Sequence, residues 1–185
     1  MRSSSHPTLF ALLLCFLPIL ALSADYELAP PFRLHWGESA VHLEEALLGT
    51  TAKIVERQTL PDSREVWKVQ GLPGIALQQV NFYLHKSQLV EVELQYWKDD
   101  WSPQTYEEFM QNVRQGLEEK FQAGKPLTRQ QSTEHGIART LLGFRWEVGP
   151  AAIELFYFAA QDPKNVFRSI SLHYKSPNAT SPPSP

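Results

Sequence analysis

The chain has 185 residues, 43% hydrophobic and 20% charged, a balance that excludes a disordered polypeptide and suits one folded domain with a real core. Its formal net charge is −3 and no run of Lys or Arg occurs. Nucleic acid and anionic membrane surfaces both call for a basic footprint, so neither is an expected partner.

The N-terminus reads as a targeting segment. Arg2 precedes an almost wholly apolar run over residues 9–22, and Ala21 and Ser23 place small side chains where a leader is cut. This predicts a signal peptide over residues 1–24, with the mature chain beginning at Ala24 or Asp25. At about 1.5 Å per residue the apolar run is too short to cross a hydrocarbon core of about 30 Å, so no transmembrane segment is expected in the mature protein. Cys15, the only cysteine, lies inside that run and follows Leu12-Leu13-Leu14, where lipid attachment would need small residues. The mature chain is then cysteine-free, with no disulfide, no thiolate nucleophile and no zinc–cysteine site. An exported, periplasmic or secreted protein, bacterial rather than eukaryotic, fits that composition.

In chain order, residues 25–31 form a lead-in ending in Pro30-Pro31, and residues 32–36 a short extended piece before Gly37. Ala40, Leu43 and Leu47 recur at helical spacing over residues 38–48, and Gly49 suits the helix end. Residues 51–58 are a strand or an irregular connector, Pro61-Asp62 a turn, residues 64–70 a strand and residues 71–74 a loop. A hairpin follows over residues 75–97. Val80, Phe82 and Leu84 alternate with Asn81, Tyr83 and His85, and Lys86-Ser87 turns the chain. Beyond the turn, Val90, Val92, Leu94 and Tyr96 form an apolar face opposite Glu91, Glu93, Gln95 and Trp97. Ser102 then caps a helix with Pro103 at its first position. Its stripe is Tyr106, Phe109, Met110, Val113, Leu117 and Phe121, and Gly124 ends it. Residues 127–136 read as polar connection. Strands follow over 137–148, 151–160 and 167–174, and a Pro/Ser-rich tail over 176–185 is expected to be disordered.

These elements predict an α+β domain over residues 25–175, an antiparallel sheet with two helices packed on one face. A helix followed by three strands occurs twice, over residues 32–98 and 99–175. Leu94-Gln95-Tyr96 echoes Leu172-His173-Tyr174, which duplication and a shared packing solution explain equally well. This layout across residues 32–174, entered through an aromatic-Trp-Gly segment, resembles small exported bacterial proteins of the outer-membrane-assembly lipoprotein type. It also resembles the doubled β-lactamase-inhibitor-protein fold. The resemblance implies a protein that binds other proteins and is not an enzyme. This chain lacks the lipidation cysteine of the first group and the disulfides of the second, so no functional residue is carried over.

The residues themselves point to no catalytic set, no cofactor loop and no metal cluster. The Gly-x-Ser-x-Gly elbow is missing, the histidines are scattered, and His42 with Glu45 is a lone helical pair better read as a solvated face. Asp99 and Asp100 stand between Trp97 and Trp101, with Tyr106 nearby, an aromatic rim around a polar centre. Trp97, Asp99, Asp100, Trp101 and Tyr106 are therefore the candidate partner surface. The competing account has both Trp rings folded inward over the helix start. The expected function is a non-catalytic exported binding or envelope-assembly protein with a protein partner. The alternative is a small exported hydrolase or carbohydrate-active enzyme.

Overall fold

The computed structural model describes residues 27–177, so the expected leader and nearly all of the expected tail lie outside the described residues. Helix α1 spans Ala40–Leu48, with the Ser39 hydroxyl accepting a hydrogen bond from the His42 amide and Leu43 and Leu47 buried. Four strands follow: β1 (Lys53–Thr59), β2 (Arg64–Gln70), β3 (Leu77–His85) and β4 (Gln88–Tyr96). Helix α2 spans Pro103–Phe121, capped by Ser102 and burying Tyr106, Met110 and Leu117. It ends at Gln122, whose φ of 70° turns the chain, two residues before the expected Gly124. Gly124 has a different job: a Cβ there would come within 2.5 Å of the Trp146 ring. The second set of strands is β5 (Lys125–Glu134), β6 (Ile137–Val148), β7 (Ala151–Gln161) and β8 (Val166–Lys175).

All eight strands form one antiparallel sheet in the order β1-β2-β3-β4-β8-β7-β6-β5. Each helix thus precedes four strands, and not the three expected. The extra strand of the first unit is β1, over residues left open between strand and connector, and the strand missed altogether is β5. Its sequence is polar and all but one of its residues are exposed, so it carries no alternating apolar signal, and pairing with β6 alone makes it a strand. The two four-stranded meanders meet through their last members, β4 and β8, with Leu94 opposite Leu172 and Val92 opposite Tyr174. A two-fold axis between β4 and β8 would produce this order.

One row across the sheet carries much of the core. Trp67 pairs with Phe82, Phe82 with Val92, Val92 with Tyr174, Tyr174 with Ile153, and Ile153 with Trp146. Leu43 and Leu47 of α1 and Tyr106, Met110 and Leu117 of α2 belong to the same buried cluster as these strand residues. The apolar face of β4 differs from expectation at one position. The register slips between Tyr83–Glu91 and Leu84–Leu89, leaving Val90 without a partner, and Leu89 joins the core cluster in its place. Strict alternation cannot reveal such a bulge, because one extra residue inverts every side chain beyond it.

Both outer strands carry devices that discourage further pairing. β1 has a register shift around Val55 together with Lys53, Glu56 and Arg57, and β5 has one around Leu127 together with Lys125, Pro126 and Arg129. Bulges, charges and proline are how sheet edges avoid recruiting another strand.

Candidate functional site

The connector from β4 to α2 is tied to the helix it introduces. The Tyr106 hydroxyl donates to the Lys98 carbonyl and accepts from the Lys98 amide, both at 3.0 Å. Trp101 stacks edge-on to Tyr106, with ring centroids 5.0 Å apart, and leans on Phe109 at 5.1 Å. Trp97 and Trp101 are half-buried against the core, Tyr106 is buried, and Asp99 and Asp100 are exposed. The candidate surface therefore splits: the carboxylates face water, while the aromatic rings lie partly beneath them.

Tertiary structure adds residues that the sequence reading did not include. The turn between β7 and β8 brings Val166, Phe167 and Arg168 beside the connector, and together with Trp97, Lys98, Asp99, Trp101 and Tyr106 they enclose a notch of about 60 Å³. Val166 and Phe167 remain 48% and 52% exposed. Arg168 is half-buried. The available signal was two apolar residues in succession just after the Asp162-Pro163 turn, where a strand with one solvated face would show only one.

The second concentration of chemistry is on the strand residues that alternate with the core row. Asn81, Glu93, His173, Glu154 and Arg145 form a continuous cross-strand row. Glu93 accepts hydrogen bonds from Asn81 Nδ2 at 2.8 Å, Tyr83 Oη at 2.7 Å and Gln95 Nε2 at 2.7 Å. Glu91 holds Arg64 Nη1 at 3.0 Å through one oxygen and His173 Nδ1 at 2.8 Å through the other. Asp62 takes Arg64 Nε at 2.7 Å. Glu154 pairs with Lys175 at 2.7 Å and Arg145 at 2.8 Å. Glu91 and Glu93 lie on the polar side of the β4 alternation, yet they are only 5% and 7% exposed. Long neighbours on adjacent strands cover them, and burial is tolerable because each charge meets donors.

Burial alone would raise the pKa of Glu91. The His173 hydrogen bond and charge, with Lys175 and Arg64, more than reverse that and hold it below its ordinary value. Tyr83 moves the other way: burial and the Glu93 carboxylate keep its phenol protonated well above the usual tyrosine range. His173 also lies 3.2 Å from Ser171 Oγ and 3.6 Å from Glu93 through Nε2, and its ring meets Phe156 edge-on. Among the described residues no group of three or more His, Cys, Asp or Glu side chains has an arrangement that could hold a metal ion. His42 and Glu45 are exposed on α1. No helix among the described residues is long and apolar enough to cross a membrane.

Comparisons with family models, with curated proteins and with solved structures return no match.

Proposed function

We propose that this chain is an exported, non-catalytic binding or envelope-assembly protein. In this reading the two helices cover one face of the sheet, and recognition occurs where the β4–α2 connector meets the β7–β8 turn. One observation carries it: Val166 and Phe167, about half exposed, converge with Trp97 and Trp101 although some 70 residues separate them in sequence. Aromatic side chains and arginine are the residues most often found as anchors of protein recognition. The partner is a protein of the cell envelope, in keeping with the leader expected over residues 1–24 and with the resemblance to exported binding proteins.

The test is site-specific photo-cross-linking in the exporting cell. A cross-linker at Phe167 should trap one discrete partner, Trp97→Ala should abolish the adduct, and a cross-linker at exposed Leu48 on α1 should trap none. Equal yields at both positions would overturn this assignment of the surface.

A second reading, a small exported hydrolase, is favoured by the order Ser171, His173, Glu91. Ser171 Oγ lies 3.2 Å from Nε2, and Glu91 lies 2.8 Å from Nδ1, the sequence of a nucleophile, a base and an orienting carboxylate. Against it, Nε2 also faces Glu93 at 3.6 Å, which suits an imidazole held between two carboxylates as part of the polar row. Turnover of p-nitrophenyl acetate that Ser171→Ala abolishes would favour the hydrolase; rates equal in both proteins would exclude it.

A further inference from the structure

The notch has a charge character of its own. Two cationic residues, Lys98 and Arg168, line it against the single carboxylate of Asp99, and the remaining wall is Trp97, Trp101, Tyr106, Val166 and Phe167. Among the described residues the Arg168 side chain makes no hydrogen bond or ion pair, although the residue is half-buried. Among the other described arginines, Arg57, Arg64, Arg114, Arg139 and Arg145 each hold a carboxylate within 3.0 Å, and Arg33 and Arg129, which hold none, are exposed where Arg168 is half-buried. A half-buried arginine lining a notch, with its fork of donors unused, is poised for a planar anion. The space, about 60 Å³, admits a carboxylate with a short carbon stem and excludes a sugar ring or a nucleotide.

Resting on the recognition surface proposed above, we infer that the partner's anchor is an acidic side chain, an Asp or Glu of a protein segment, seated on Arg168 between the two Trp rings. The guanidinium takes the carboxylate, and Trp97, Trp101 and Phe167 cover the methylene stem. Asp99 on the same rim opposes the incoming charge and restricts the site to an anion that reaches Arg168 directly. An acidic side chain, unlike a chain terminus, brings neutral backbone on both sides to lie over exposed Val166 and Phe167.

The experiment follows the indole N–H resonances of Trp97 and Trp101 by NMR while single small molecules are titrated into the full mature chain. N-acetylglutamate α-amide, which presents only a side-chain carboxylate, should shift both signals saturably in the millimolar range. Its glutamine counterpart should not. Arg168→Gln should weaken the response at least about tenfold, Arg168→Lys less, and Asp99→Asn should strengthen it, a change of sign that loss of structure cannot produce. Equal shifts from the glutamine analogue, or unchanged affinity in Arg168→Gln, would overturn the site. Tighter binding of N-acetylalanine, whose carboxylate is terminal, would overturn the choice of an acidic side chain. Failure here leaves the Phe167 cross-link free to succeed, and a saturable carboxylate response without any cross-link would retire the protein partner instead.

Discussion

Glu91 shows how a single buried charge is made affordable. Its two oxygens meet Arg64 and His173, and Lys175 lies near enough to favour the ionised carboxylate as well. Because its folded pKa lies below the unfolded one, it contributes stability that is fully present above the ordinary carboxylate range, about 4.3. That stability is lost as pH falls through the lower, folded value. Acid titration of thermal stability should therefore show a loss below about pH 4.3 that Glu91→Gln reduces. Glu91→Leu should cost about 3 kcal/mol in urea melts at neutral pH, the low end for breaking a buried pair. Asp62 still holds the other side of Arg64, which keeps the cost there. A loss below about 1 kcal/mol would instead match an exposed pair.

At the scale of elements, α2 tests how a helix is tied to this sheet. Met110 is buried and Gly116 is exposed with open space around its Cα. Met110→Ala should cost about 2–5 kcal/mol, the range for truncating a buried Met. Gly116→Ala should raise stability by about 1 kcal/mol, since alanine fixes a helical backbone at less entropic cost and meets nothing. The opposite sign holds at Gly124, where the new methyl would meet the buried Trp146 ring and a loss of about 1–3 kcal/mol is expected. Chemical denaturation of the three variants checks all of these together.

Over the whole molecule, the polar row and the apolar row both cross the β4–β8 seam, so neither four-stranded half keeps its partners without the other. The halves should unfold as one cooperative unit. Trp67 and Trp146 are buried on opposite sides of the seam and serve as separate reporters once the other tryptophans are replaced by Phe. Coincident fluorescence midpoints are expected. Separated midpoints would mean two folding units meeting at a weak contact. With bulges and charges at both outer strands, the protein should also sediment as a monomer at high concentration, unless a partner occupies another surface.

Local patterns were enough for much of this architecture. Period-two alternation marked β3, β4, β6 and β8, and the Ser102-Pro103 start with its apolar stripe marked α2. Short-range backbone geometry alone decides those features. The β4 bulge was hidden because a register slip is a property of two strands, and β5 was hidden because its pairing with β6 gives no apolar pattern. The candidate surface was legible only in its contiguous part, Trp97 to Tyr106. That Phe167 and Arg168 join it, and that Glu91 and Glu93 are buried against His173, depended on β4 and β8 meeting at the centre of the sheet. Sequence patterns record what each residue needs from its immediate neighbours; strand order and register determine which distant residue supplies the rest.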